Sequence, residues 1–339
     1  MVKEPQVVSR DKPERITLDT GSGTLYHKKG RPGELFLLAA VYGAAYFSVF
    51  LLLGMTAYMF SKGFRVLSLR FFTTVTSYVK GTRGIAGNLL NTLYIIVLAL
   101  LAAAPVGVGA AVYLNEYAGT GRLVRLVEFA MDTLAGIPSV VFGLFGMVFF
   151  GGVMGMGVSL LNGALTLALM VLPLIVRNTQ EALTAVPESW RSGALGMGAT
   201  KWHMIRTILL PCARPGILTG LVLAAGRITG ESAALLFTAG SARFLPGFGE
   251  SFLENGAGLL GKVREPGGTL AVELYLQMQN GEYGTAFGIG CVLMGVVFGS
   301  RMLLKLLCRE KSEKGYDKSQ GRSQNRSQKR NQKRNQKRN

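Results

Sequence analysis

Two ionisable side chains, Arg227 and Glu231, interrupt a stretch of sequence that is otherwise apolar. A charge inside hydrocarbon is costly, so such a pair is by default a functional hypothesis. Their i, i+4 spacing predicts that both lie on one face of a helix, where they can pair. A guanidinium donates bidentate hydrogen bonds to an oxyanion and keeps its charge. We therefore predict an anion pathway in which Glu231 holds Arg227 until the anion arrives, with a permanent ion pair that fixes helix packing as the alternative.

Two further residues, Arg177 and Ser139, are candidate contacts for the same anion. Arg177 ends the fourth apolar segment, where snorkelling of the side chain to the membrane surface is an equal explanation. Ser139 follows Pro138, and proline interrupts helix bonding, which can turn a hydroxyl and a freed carbonyl toward the pathway. A simple helix kink explains Pro138 equally well. The three cysteines and two histidines lack the spacing of a disulfide framework or a metal site.

Long apolar segments, separated by charged connections, must position these residues. Hydrophobic residues make up 49% of the chain, the mean hydropathy is +0.33 and only 17% of residues are charged, which favours a membrane protein. About 20 apolar residues cross the hydrocarbon as a helix. Six segments meet this requirement, at about residues 35–60, 89–114, 126–150, 158–177, 214–238 and 285–307. The predicted fold is an all-α membrane protein with six transmembrane helices.

The distribution of Lys and Arg predicts the orientation, because these residues stay preferentially on the cytoplasmic side of short loops. Residues 1–34 hold seven of them and residues 301–339 hold fourteen, so we predict that both termini are cytoplasmic. The first apolar segment starts late and runs long, which predicts a retained signal anchor rather than a cleaved signal peptide. In the outside loop, at about 239–284, we predict a short helix at 269–279 near the outer surface.

The last segment, 309–339, ends in repeats of QKRN without an apolar side chain to bury. Such a composition predicts a disordered basic cytoplasmic tail. A solvated tail that reinforces topology is the simplest interpretation, and contact with anionic membrane lipids is the alternative. No nucleic-acid partner is expected, because the aromatic side chains on which bases stack are absent from the tail.

The loop at 178–213 is too polar to cross the bilayer and too apolar for a free linker. Pro187 followed by Glu188 predicts the start of a helix, and Gly196-Met197-Gly198 predicts its end. Apolar residues at helical spacing then predict a second short amphipathic helix from Thr200 to Pro211. Two short helices joined at a glycine form a knob that can dock on a partner; an interfacial hairpin without a partner is the alternative.

This loop resembles the EAA motif of ABC-importer permeases, in which nine residues separate a glycine from I-x-L-P. Here Gly198 is followed at that spacing by Ile208-Leu209-Leu210-Pro211, while Ser192-Gly193-Ala194 stands where the family commonly has Glu-Ala-Ala. The resemblance implies a MetI-like core whose knob inserts into a cytoplasmic ATPase. The coupling residues that it implies are Ser192, Gly193, Ala194, Gly198, Ala199, Ile208, Leu210 and Pro211.

Three further stretches resemble the PstA family of phosphate permeases, and the similarity covers roughly residues 85 to 305. They are Pro105-Val106-Gly107-Val108-Gly109 with Tyr113-Leu114-Asn115-Glu116-Tyr117, the run GIPSVVFGLFG from Gly136 to Gly146, and Arg227-Ile228-Thr229-Gly230-Glu231-Ser232-Ala233 with Leu236-Phe237-Thr238-Ala239. The resemblance implies a multi-pass subunit of the bacterial inner membrane that forms a phosphate pathway. It places Arg227, Glu231, Ser139 and Arg177 as the pathway candidates.

The same resemblance implies the partners of the chain. These are a companion PstC-like permease, a cytoplasmic PstB-like ATPase dimer and an extracytoplasmic PstS-like phosphate-binding protein. ATP and Mg belong to the ATPase, so this chain is expected to be non-catalytic and to hold no cofactor. Two alternatives stay open, because one arginine does not distinguish phosphate from molybdate, sulfate or phosphonate, and a secondary transporter or channel would need no ATPase. An added signalling role is compatible with either.

Overall fold

The computed structural model describes residues 32–77, 82–119, 121–243 and 261–302. Nearly all of the predicted N-terminal segment, 1–34, and the whole predicted tail, 309–339, lie outside these residues. The chain divides into two compact units, Met1–Met55 and Thr56–Asn339. The described part of the first unit is a single stretch of helix, and the membrane-spanning core belongs to the second.

Helix α1, Pro32–Gly63, provides the first unit up to Met55 and then the start of the second. Its sequence is apolar on every side, and its large side chains from Phe36 onward are exposed. A helix that is hydrophobic all round and 32 residues long satisfies its own backbone and is long enough to cross a bilayer. It occupies the first predicted span.

The second unit continues with short elements and then with long helices. In chain order, these elements are α2 (Leu69–Thr73), β1 (Val75–Ser77), β2 (Thr82–Ile85), α3 (Ala86–Val112), α4 (Arg122–Gly136), α5 (Ser139–Gly146), α6 (Leu160–Thr184), α7 (Glu188–Gly196), α8 (Lys201–Met204), α9 (Leu210–Thr229), α10 (Ala233–Thr238), α11 (Leu270–Gln279) and α12 (Tyr283–Met302). The two strands pair antiparallel as one small hairpin. Wider π turns extend three helices, at Tyr113–Tyr117, Met147–Val153 and Ile205–Leu209.

Five helices of the described residues are long and apolar enough to cross a membrane, or six if a bent pair counts as one span. The bent pair corrects the third predicted span, 126–150. It consists of Val124–Gly136 and Ser139–Val153, which meet at an angle of 101°. Pro138 lacks a backbone N–H and disfavours helical geometry at Ile137, so the helix stops there and restarts at Ser139. The predicted kink is a full break.

The fifth span also differs from its prediction at 214–238. A continuous helix runs from Lys201 to Thr229, so the second short helix of the loop does not end at Pro211 as predicted. The π turn at Ile205–Leu209 widens the helix just before Pro211, which cannot donate a backbone hydrogen bond. The helix ends at Thr229, and a separate short helix, α10, follows.

Helix α6 is the centre of the packed core, with α3 and α9 against it. Buried Leu, Val, Ile and Ala side chains of these three helices form one cluster. Small residues allow close approach at several crossings, because Gly107 lies against Ile175 and Gly143 lies against Ala234. The predicted short helix at 269–279 is confirmed as α11, although its residues Leu270 to Glu273 are buried in the protein.

A methyl group at Gly146 tests this close packing. A Cβ there would meet the hydroxyl of Thr166 and lie 2.8 Å from the methyl carbon of Thr238. We expect Gly146→Ala to destabilise the protein by about 1–3 kcal/mol, as overpacking does, in thermal unfolding of the detergent-solubilised protein. Gly109→Ala is the control, because a Cβ at Gly109 has no atom within 4 Å. Equal melting temperatures for both variants would contradict this packing.

Candidate functional site

Arg227 lies at mid-depth of the helical core. Helix α9 runs antiparallel to α6, with Gly216 against Ala182 and Gly220 against Asn178. Continuing this register along both helices places Arg227 level with Val171, close to the midpoint of the 25-residue helix α6. Arg227 therefore lies level with the middle of a helix that is long and apolar enough to cross a membrane.

The Arg227 side chain is exposed at this depth, in the last turn of α9. Within the described ranges, no ion pair joins Arg227 to Glu231 or to another carboxylate. The prediction that the two residues share a helix face is wrong, because α9 ends at Thr229 and Glu231 lies in the following turn. The guanidinium has its hydrogen-bonding groups available to a ligand or a partner chain.

Glu231 has a structural contact of its own. Its Oε1 accepts a hydrogen bond from the backbone N–H of Ala234 at 3.2 Å. Ala234 is in the first turn of α10, where backbone N–H groups have no partner within the helix. The carboxylate therefore caps α10, and a negative charge is also favoured at that end of a helix.

Ser139 begins α5, which packs beside α10. Gly143 contacts Ala234, and Gly146 contacts Thr238, so the two helices run parallel. Their N-terminal ends, at Ser139 and next to Glu231, consequently lie at the same end of the pair. Arg227 lies in the last turn of α9, four residues before Glu231. The two helix breaks bring three of the four predicted pathway residues to one region.

Arg177, the fourth predicted pathway residue, forms an ion pair with Asp132 of α4. Both side chains are about half exposed, so this contact can be exchanged for others. Helix α6 continues past Arg177 to Thr184, which means that Arg177 lies within the helix and not at its end. Asp132 was not predicted as a partner, because the sequence placed this residue inside a continuous apolar span.

The predicted coupling residues surround one turn between α7 and α8. Ser192 and Gly193 are exposed on α7, whereas Ala194 is buried. Gly198 has φ +84°, a left-handed conformation that favours glycine. Ala199, Ile208 and Leu210 pack on a buried cluster that includes Val112, Leu183, Met204, Ile205 and Leu209. Pro211 lies exposed within the continuous helix instead of ending it.

Large apolar side chains at this turn and on its two flanking helices are exposed. Trp190, Leu195, Met197 and Trp202 are 50%, 48%, 86% and 60% exposed, respectively. Large exposed apolar side chains on α7, on α8 and in the turn between them form a candidate protein-binding surface. We call these four residues the docking surface. Sequence periodicity identified the two helices, but it did not show which of their apolar residues are buried.

Two buried carboxylates were missed by the sequence analysis. Glu116, at the end of α3, is paired with Arg191 of α7. Glu273 of α11 is 1% exposed and accepts hydrogen bonds from Arg243 Nε at 2.7 Å and from Gln277 Nε2 at 2.6 Å. An acid inside an apolar run, as at Leu270–Gln279, was the available signal for Glu273. No group of three or more His, Cys, Asp or Glu in the described ranges could hold a metal ion.

Comparison with known proteins gives one family over most of the core. The family described as "Binding-protein-dependent transport system inner membrane component" matches residues 103–300. The probable ABC transporter permease protein YqgI of Bacillus subtilis is 38% identical over 208 residues, which are 61% of this chain and 69% of that protein. The phosphate transport system permease protein PstA of Xylella fastidiosa is 40% identical over 181 residues, 53% of this chain and 63% of that protein. PstA of Pasteurella multocida is 33% identical over 229 residues, which are 66% of this chain and 79% of that protein.

Solved structures of two importers share the fold. A chain of a bacterial alginate ABC transporter has a TM-score of 0.58 at 16% identity, covering 84% of this chain and 97% of that one. A chain of the inward-facing MetNI methionine ABC transporter has a TM-score of 0.51 at 19% identity, covering 66% and 94%. The predicted all-α membrane fold with a MetI-like permease core is therefore confirmed.

Substitutions of Glu231 can separate the effect of its hydrogen bond to Ala234 from the effect of its negative charge. Glu231→Gln keeps a side-chain oxygen to accept from Ala234, whereas Glu231→Ala removes it. We expect the alanine variant to lose about 0.5–2 kcal/mol of stability, as for a lost helix cap, and the glutamine variant to lose much less. Thermal unfolding of both variants measures the difference. If both are equally unstable, the charge and not the cap is what α10 requires.

Proposed function

Because the chain belongs to the family of binding-protein-dependent transport system inner membrane components, and within it to the PstA permeases, we propose that it is the transmembrane permease subunit of an ATP-driven phosphate importer. A companion permease would complete the pathway beside it. An ATPase dimer on the cytoplasmic side would hydrolyse ATP, and an extracytoplasmic binding protein would deliver phosphate. This chain would be non-catalytic and multi-pass, with both termini in the cytoplasm.

The exposed guanidinium of Arg227 carries this proposal. It lies level with the middle of α6 and has no ion-pair partner among the described residues. Intramembrane charges face a protein interior or a water-filled cavity, because hydrocarbon does not solvate them. The exposed side of α9 at Arg227 therefore fits the pathway between two permeases. A phosphate there would replace water around the guanidinium and accept two hydrogen bonds at once.

The other polar groups have supporting roles in this proposal. Glu231 fixes the start of α10 through its hydrogen bond to Ala234. Because it is not paired with Arg227, the anion does not have to displace it from the arginine. Ser139 presents a hydroxyl at the same end of the α5 and α10 pair. Arg177 is already paired with Asp132, so it can receive the anion only by exchanging that carboxylate. The order of contact would be Arg227 first and Arg177 second.

Coupling to an ATPase is supported by the docking surface of Trp190, Leu195, Met197 and Trp202. A secondary transporter or channel has no need for a rigid apolar turn of this kind outside the membrane. Ser192 donates its hydroxyl to the carbonyls of Glu188 and Ser189, so it is bonded within its own helix at the position where the family commonly has a carboxylate. Docking would therefore depend on apolar contact more than on an ion pair at Ser192.

Arg227→Ala tests the pathway. We expect phosphate uptake by the reconstituted complex to fall roughly 10- to 100-fold, the effect of losing a charged hydrogen-bonding partner, while the subunits still copurify. Arg214→Ala is the matched control, since Arg214 is an exposed arginine of the same helix near its other end. Normal uptake by Arg227→Ala would exclude this arginine from the pathway. Uptake of molybdate or sulfate but not phosphate by the unmodified complex would assign another oxyanion.

Gly198 tests the docking turn. Valine is strained at φ +84°, whereas asparagine adopts this conformation far more readily. We expect Gly198→Val to abolish copurification with the ATPase and Gly198→Asn to retain it. A bulky charged residue at Gly198 should also prevent copurification. Retention of the ATPase by the valine and the charged variants would contradict the docking role of this turn.

A further inference from the structure

A π turn follows α3, and one of its polar residues contacts the docking element, which we define as residues 188–204. The turn spans Tyr113–Tyr117 and contains Asn115 and Glu116. Its extra residue widens the helix, and such π turns occur often at functional positions. The Glu116 side chain is only 6% exposed. A carboxylate buried to this extent needs a charged or hydrogen-bonding partner.

Arg191 of α7 is that partner. Its Nη2 lies 3.4 Å from Glu116 Oε1 and donates to the carbonyl of Leu183 at 2.7 Å. Its Nη1 donates to the carbonyl of Val186 at 2.9 Å and to Glu188 at 3.1 Å. Leu183 is in the last turn of α6, whose final carbonyls lack partners within the helix. One guanidinium therefore links the ends of α3 and α6 to α7.

Two neighbouring contacts strengthen this link. Thr184 of α6 donates to Asn115 Oδ1 at 3.2 Å, and Asn115 Nδ2 donates to Glu116 at 2.7 Å. From the other side of the docking turn, Lys201 lies 5.0 Å from the ring centroid of Tyr117. Both helices of the docking element thus contact consecutive residues of the same π turn. A movement of either helix acts on the end of α3.

The opposite end of α3 is bonded to α11. Asn91 donates to the carbonyl of Gly268 at 3.2 Å, and Thr92 accepts from the backbone N–H of Leu270 at 3.0 Å. Both side chains are buried. The helix is continuous from Ala86 to Tyr117. Asn91 and Glu116, its attachments at the two ends, are 25 residues apart, a distance of about 37 Å along the helix.

We propose that Glu116 and Arg191 are a positioning pair, through which movement of the ATPase-bound docking element is transmitted to α3 and so to the far side of the protein. This inference rests on the proposed function, since it requires an ATPase on the docking surface. It assigns a role in energy coupling to two residues that contact neither the anion nor ATP. The Arg191 and Glu116 side chains are only 13% and 6% exposed, whereas the Glu188 side chain is 79% exposed.

Glu116→Ala removes the link while Arg191 keeps its two carbonyl acceptors and Glu188. In the complete complex reconstituted in liposomes, we expect the phosphate transported per ATP hydrolysed to fall at least about tenfold, the scale of one charged hydrogen bond. ATP hydrolysis itself should persist, because the docking surface is intact. A complex that is merely unstable would instead lose uptake and hydrolysis in proportion.

Glu188→Ala is the matched control, since it removes the exposed carboxylate from the same arginine and should leave the ratio within about twofold. Glu116→Gln keeps a hydrogen-bond acceptor without the charge and should give an intermediate ratio of phosphate transported to ATP hydrolysed. If the alanine variant does not assemble, the glutamine variant tests the inference. A wild-type ratio in either assembled Glu116 variant, or failure of both to assemble, overturns the inference. Absence of phosphate uptake by the unmodified complex would instead overturn the proposed function.

Discussion

Hydrocarbon offers no hydrogen bonds to a polypeptide, and the arrangement of this core follows from that constraint. A helix that breaks within a bilayer exposes backbone N–H and C=O groups, so a break is tolerated only where protein or trapped water satisfies them. Helices break here at Ile137-Pro138 and at Gly230 to Ser232. The glycines of α5 lie against α10 and α6, and Glu231 accepts from the first turn of α10. Close packing thus holds α5 and α10 in place behind the breaks, while Pro138 and Gly230 at the breaks themselves are exposed.

The same constraint explains why a charge is found beside the breaks. Short helices that begin inside the core direct unpaired N–H groups toward one region, which favours negative charge there. Glu231 supplies that charge for α10, and Arg227 is left exposed at the same depth. An oxyanion that reaches Arg227 would thus enter a region where the backbone has already been interrupted. In the proposed function, the pathway would therefore pass beside the helix breaks.

The docking element depends on burial of a different kind. Some of its apolar residues belong to a buried cluster, and others are exposed. Arg191 bonds the element to the ends of α3 and α6. A surface that binds an ATPase transmits force only if it is rigidly joined to the helices behind it. In the proposed complex, the buried contacts would supply that rigidity, and the exposed tryptophans and methionine would supply the area for binding.

The sequence by itself determined the membrane class, most of the spans, the position of the docking loop and the family, because apolar length and local motifs are properties of consecutive residues. It also predicted Arg227, Glu231, Ser139 and Arg177 as contacts of the anion, and that role stays a prediction. Only the tertiary structure decided that Glu231 caps α10, that Arg177 pairs with Asp132, and that Glu116 meets Arg191 across 75 residues of sequence. Helix periodicity does not foresee a break followed by a new helix, and partners that are distant in the chain meet only when α3, α6 and α7 pack together.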